Sequence, residues 1–263
     1  MLKWVIIEII IIQVTFAVTS KSCPQLYETP SLQFVEAPGQ LIESVDANPL
    51  SCKYIFECNV MTTPSESTIY WYKNNNIIHA TVTKDITLNN IHQKAASPVL
   101  GISEQRHRLC LDSLLDDKKD VVEFKCRVQS VCDPRMIVES EPIHLQSTAQ
   151  IPNSVSFVNR YYKAPTISLI SSSRLEFAGK FVQLFCNAVG SPKPEIMWQV
   201  IDNNDETVTY DIDLYPFVWK LANGNIIIDT MKTADASMAF QCTAKNKFGS
   251  DVAQASVILV DGN

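Results

Sequence analysis

The residues of this 263-residue chain with the most chemical potential are its eight cysteines, Cys23, Cys52, Cys58, Cys110, Cys126, Cys132, Cys186 and Cys242. Such a set can ligate metal, cycle between redox states or form disulfides. Structural zinc sites commonly pair ligands across about two to four intervening residues, whereas Cys52 to Cys58 and Cys126 to Cys132 are wider. His79, His92, His107 and His144 complete no metal motif with them. An even count in a secreted chain favours disulfides. Catalytic signatures are missing: there is no Gly-x-Ser-x-Gly elbow, phosphate-cradling glycine loop or His-Glu-x-x-His helix, and glycine numbers only 7. Asp112, Asp116 and Asp117 beside Lys118 and Lys119 read as a solvated turn of mixed sign. The run Asp202, Asn203, Asn204, Asp205, Glu206 offers calcium-type oxygens but lacks the loop glycine and distal glutamate. The expectation is a non-enzyme without cofactor or metal.

The elements that hold these cysteines alternate in hydropathy, as strands do. Cys58 lies in YIFECNV, Trp71 follows it by 13 residues in TIYWYK, and Cys126 closes DVVEFKC. Further on, Cys186 lies in LFCNAVGSPKPEIMW, Trp198 follows by 12 residues, and Cys242 sits in FQCTAKNKFG. A strand precedes each closing cysteine. In the second half it carries Ile226, Ile228 and Met231 after an Asn223-Gly224 turn signal, and in the first half Leu109, Leu111 and Leu114. Thr148 to Ala164 lacks alternation and reads as a connection about which two units could be angled or mobile. Arg106, His107 and Arg108, the one compact basic group, read as a solvated loop.

The Leu184–Trp198 and Phe240–Gly249 segments resemble the B-C and F-G segments of an I-set immunoglobulin domain. That resemblance implies a disulfide between sheets with a tryptophan packed on it. The fold expected is all-β: two tandem immunoglobulin-like sandwiches after a cleaved signal peptide. The segments are 1–20 leader, 21–148 first domain, 149–164 linker and 165–261 second, I-set domain. The resemblance implies bridges Cys58/Cys126 and Cys186/Cys242, with Trp71 and Trp198 as core tryptophans. The other four cysteines allow three pairings. In this topology Cys52, at the start of strand B, and Cys132, past the end of F, lie far apart, which favours Cys23/Cys132 and Cys52/Cys110. Phenylalanine replaces the family's corner tyrosine at Phe124 and Phe240, so ring packing must hold both corners.

Lys3 followed by an apolar run and small residues near Ser20 reads as a secretory leader. The run is too short to span a bilayer, and no hydrophobic tail follows Val260, so a secreted, extracellular product without membrane insertion is expected. The net charge of −6 and a pI near 5.3 argue against a nucleic-acid partner. No Asn-x-Ser/Thr sequon occurs, so N-linked sugar should mask neither domain.

What remains is protein binding. If Trp71 and Cys126 point inward, alternation sends Tyr70, Tyr72, Lys125 and Arg127 outward together, and tyrosine and arginine are the types enriched at interface hot spots. The layout of leader, cysteine-rich first domain and I-set second domain resembles the nematode zwei-Ig-domain secreted proteins. It is similar also to insect secreted two-immunoglobulin proteins that bind insulin-like peptides. The first resemblance implies an extracellular factor of the nervous system that maintains axon and neuron position or adhesion, and the second implies capture of insulin-like peptides.

Overall fold

The computed structural model describes residues 23–36, 39–43, 48–88, 98–112, 121–146 and 162–262. The leader at 1–20, linker residues 149–161, Leu114, and the turn residues Asp116, Asp117, Lys118 and Lys119 lie outside the described residues.

The first unit contains β1 (Ser31–Phe34), β2 (Gln40–Glu43), β3 (Tyr54–Thr63), β4 (Ser67–Lys73), β5 (Asn76–Val82), β6 (Ile102–Cys110), β7 (Val121–Ser130), β8 (Ile137–Glu139) and β9 (Ile143–Gln146). One sheet runs β1-β3-β6 with β2 on β3, and the facing sheet runs β5-β4-β7-β8 with β9 on β7. The alternation seen in sequence supplies both inner faces. Phe56, Cys58 and Val60 of β3 are buried in one cluster with Ile69 and Trp71 of β4 and Phe124, Cys126 and Val128 of β7. Burying each large apolar side chain contributes at most roughly 1.5–3 kcal/mol.

The second unit contains β10 (Lys163–Phe177), β11 (Phe181–Leu184), β12 (Cys186–Ser191), β13 (Glu195–Ile201), β14 (Thr209–Asp211), β15 (Val218–Lys220), β16 (Ile226–Asp229), β17 (Ser237–Asn246) and β18 (Gly249–Val260). Trp198 lies opposite Cys242 across β13 and β17, as Trp71 lies opposite Cys126 across β4 and β7. The Trp198 indole N–H donates to the Gly224 carbonyl at 2.7 Å. Gly224, in the turn before β16, has φ +92°, and a Cβ there would sit 3.1 Å from Ile196 Cγ1, so both backbone sign and space call for glycine. Phe240, standing where the corner tyrosine would be, packs edge-on against Trp198 at 6.4 Å.

The two units share one sheet. β10 pairs along one edge with β12 antiparallel, then with β18 in parallel. Along its other edge, Leu169 to Leu175 pair antiparallel with β6 from His107 to Ile102. The result is a ten-stranded sheet whose main path is β1-β3-β6-β10-β18-β17-β13-β14. Three expectations are corrected here. Lys163 and Ala164, placed in the linker, are the first residues of β10. The mobility read between the two units is countered by backbone pairing of β10 with β6. Arg106, His107 and Arg108 are not a loop but the middle of β6, with His107 buried. The inward residues of β6 include Ser103, Gln105 and His107, so the strand carries almost no apolar alternation, and its sequence span of Leu109 and Leu111 caught only its far end.

That inward side is a polar junction. Arg174 of β10 is fully buried, with its guanidinium 3.1 Å from Asp85 and 3.1 Å from Glu176. Asp85 also accepts from the Ser65 hydroxyl and from the Thr87 N–H and hydroxyl. Glu176 accepts from the N–H groups of Leu100, Gly101 and Phe177. The first-unit segment after β5 reaches over the second unit, where the Ile86 N–H donates to the Gln183 side chain at 3.0 Å. At the other end of the seam, the Ala164 N–H donates to the Leu50 carbonyl, and Arg108 meets Asp251 at 3.1 Å. Buried charges persist only where such donors surround them.

Candidate partner-binding face

All eight cysteines are bridged. Cys58–Cys126 and Cys186–Cys242 cross between the sheets, with Cα separations of 6.8 and 6.6 Å. Cys23–Cys132 ties the segment before β1 to the turn after β7, and Cys52–Cys110 joins the approach to β3 with the end of β6. Asp112 lies close to the last bridge, so Cys52, Cys110 and Asp112 group as three potential metal ligands. Their atoms are already used: the sulfurs are in the disulfide, and the carboxylate accepts from the Lys53 and Tyr54 N–H groups at 2.7 and 2.9 Å. Asp112, read as part of a solvated turn, therefore caps β3.

Tyr70, Tyr72, Lys125 and Arg127 come together on the outer face of the β5-β4-β7-β8 sheet. Cross-strand partners share a face. Tyr72 stands opposite Lys125 and Ile77, and Tyr70 opposite Arg127 and Ala80, while Arg127 stands opposite Glu139 on β8. Glu139 serves both cations, at 2.9 Å from Lys125 Nζ and 3.3 Å from Arg127 Nε. Lys125 Nζ also lies 5.4 Å from the Tyr72 ring centroid, within cation–π range. The Arg127 guanidinium donates to the Tyr72 hydroxyl at 3.5 Å. That contact, and secondarily the charge of Glu139, raises the arginine pKa above its ordinary value.

Sequence reasoning found the centre of this face and missed its margins. Thr68 faces Val82 and Gln129, and Gln129 faces Ile137. Val82, Ile77 and Ile137 are 63%, 57% and 38% exposed. Glu139, Ile77, Val82 and Ile137 could be placed only once the β4–β5 and β7–β8 registers were known. The first of these shifts between Trp71 and Tyr72, which no local pattern announces. The completed surface is a tyrosine and cation centre, held by one carboxylate and bordered by exposed aliphatic side chains on both edge strands. Such a surface suits recognition of another protein, with rigid aromatic contact area and donors at its centre.

The pattern of the immunoglobulin domain family matches residues 164–246. Interference hedgehog of Drosophila virilis is 33% identical over 87 residues, covering 33% of this chain and 9% of that protein. Neural cell adhesion molecule L1 of Mus musculus is 25% identical over 179 residues, covering 66% of this chain and 12% of that protein. The chain thus spans only a small part of the length of these relatives. Among solved structures, neural ectodermal development factor IMP-L2 superposes with a TM-score of 0.53 at 18% identity, over 90% of this chain and 99% of that one. Across both units this likeness is one of fold. Among the described residues, no helix is long and apolar enough to cross a membrane. The matched domain and the inter-sheet bridges with their packed tryptophans give this chain an immunoglobulin domain at residues 164–246 and an immunoglobulin-like sandwich in each unit.

Proposed function

We propose that this chain is a secreted, non-catalytic protein-binding factor of the extracellular space, and that it contributes to adhesion or to maintaining axon and neuron position by binding a cell-surface protein. The observation that carries this reading is the convergence of Tyr70, Tyr72, Lys125 and Arg127 between the exposed side chains of Ile77, Val82 and Ile137. Four disulfides suit an oxidising compartment, and a similar relative is by name a neural adhesion molecule. Tyr72→Ser and Arg127→Glu should each weaken binding of the secreted chain to neuronal surfaces by about tenfold or more, as loss of a hot-spot residue does. Both residues lie on the outer face, so melting temperature should stay near that of the parent. Unchanged affinity in both variants would remove this face from the proposal.

A second reading is capture of insulin-like peptides. It is favoured by the exposed aliphatic side chains on edge strand β5, since a hormone binder needs an apolar groove or edge. Titration with a labelled insulin-like peptide separates the two: saturable binding assigns the hormone, and its absence beside binding to neuronal surfaces assigns maintenance.

A further inference from the structure

The second domain contains a hollow of about 150 Å³ at the end of its sandwich, where β13 leaves and β17 enters the sheet. Its apolar wall includes Tyr215, Phe217, Met238 and Phe240, and Asp202 and Asp235 also line it. The Tyr215 and Phe217 rings pack edge to face at 5.8 Å. Asp202 is fixed in place, because its Oδ1 accepts from the N–H groups of Asn204 and Asp205 at 2.8 and 3.1 Å. No lysine or arginine lines the hollow, and among the described residues neither carboxylate has an ion-pair partner. The Tyr215 hydroxyl is held above its ordinary pKa, first by burial and then by its neighbours Tyr210, Asp202 and Asp235. The site is therefore aromatic, concave and anionic.

We infer that this hollow binds a cationic side-chain group, a guanidinium or ammonium on a short alkyl stem, with its charge between Asp202 and Asp235 and its stem against the rings. Three physical points converge on that class. Aromatic faces attract cations electrostatically, and more strongly as water is removed. Two unneutralised carboxylates select positive charge and reject anions. A volume well below the roughly 300 Å³ of ordinary small-molecule sites fits one side chain rather than a larger ligand. The calcium-like run read in the sequence, Asp202 to Glu206, takes a different part here. Its backbone N–H groups satisfy Asp202 Oδ1, while Asp205 is occupied by the Thr207 N–H and hydroxyl. Asp202 is thereby left as an organic-cation contact rather than the first member of a metal loop.

The same chemistry could come from a partner protein's arginine or lysine or from a free amine, and one titration distinguishes them. The full chain is titrated with a capped Gly-Arg-Gly peptide, with its Gly-citrulline-Gly counterpart, and with n-butylammonium, following the ring signals of Tyr215 and Phe217 by NMR. Saturable shifts with the arginine peptide and not with citrulline are expected, and Asp235→Asn should weaken binding by about tenfold. Asp235 is exposed, so that variant should keep the parent melting temperature, which separates lost binding from lost folding. Binding of both cations assigns a general amine site, and binding of the peptide alone assigns a partner's side chain. Equal shifts from citrulline, no saturation with either cation, or an unaltered affinity in Asp235→Asn overturns the assignment.

Discussion

The Arg174→Met variant should lose about 3–5 kcal/mol of folding stability, the usual cost of removing one partner from a buried charge network. For a chain of this size that is a fall in melting temperature of roughly 10 °C or more. The cost arises from what stays behind. Asp85 is fully buried and Glu176 nearly so, and without the guanidinium two carboxylates share one dry site with only backbone and hydroxyl donors. The effect should also be local in origin. Asp85 belongs to the segment following β5 in the first unit, and Arg174 and Glu176 to β10 in the second, so the network fastens the seam rather than either sandwich. Hydrogen exchange should therefore rise first at amides of the β6–β10 ladder, while the β13–β17 ladder keeps its protection. The triple variant Arg174→Met, Asp85→Asn, Glu176→Gln should recover much of the loss, because it removes the orphaned charges along with their partner. A melting temperature within one or two degrees of the parent for Arg174→Met alone would show that the network contributes little.

The seam also marks where sequence stopped being informative. The sandwich cores were legible because each is written in one residue type per face: Phe56, Cys58 and Val60, or Phe240, Cys242 and Ala244, alternate with half-exposed neighbours. Trp71 and Trp198 stand out for the same reason, large side chains at a fixed distance from a cysteine. The seam has no such script. Its central contact is the β6–β10 ladder, made of main-chain groups that every residue carries, so almost any side chain is compatible with it. Its buried side chains include Ser103, Gln105, Arg174 and Glu176, types that are mostly exposed in folded proteins and so read as solvent-facing, together with His107. The candidate face was half legible for a related reason. Strand alternation places Tyr70, Tyr72, Lys125 and Arg127 on one side from the sequence alone, while Glu139, Ile77 and Val82 depend on register between strands. The hollow in the second domain was not legible at all, since Asp202 and Asp235 are 33 residues apart in sequence and come to line one hollow only through the return of β17 alongside β13.

Acidification should weaken the same seam through His107. Its ring is buried with its Nε2 3.3 Å from the Gln105 side-chain oxygen, and burial pushes its pKa down to about 3. Its cross-strand neighbours are Cys58 on β3 and Leu169 on β10, neither of which offers a charge to stabilise an imidazolium. The charged residues nearby on β6, Arg106 and Arg108, alternate to the other face, where they meet Glu57 and Asp251. The sign follows from which state binds the proton. The unfolded chain takes it up near pH 6.5 while the folded chain resists until about pH 3, so the contribution is complete above pH 6.5 and declines as pH falls below it. The decline is about 1.4 kcal/mol per pH unit, or roughly 2 kcal/mol by pH 5, equivalent to a loss of roughly 4–8 °C in melting temperature. His107→Gln keeps a polar side chain beside Gln105 but has nothing to protonate. Its melting temperature should stay nearly level from pH 6.5 to pH 5, where the parent's falls, with both curves dropping together at lower pH as carboxylates protonate. Parallel curves over that interval would mean that the histidine is accommodated in its charged form. A flattened curve in His107→Gln, with hydrogen exchange in the parent rising first along β6 and β10, would identify the shared sheet as the part of the molecule that acid loosens.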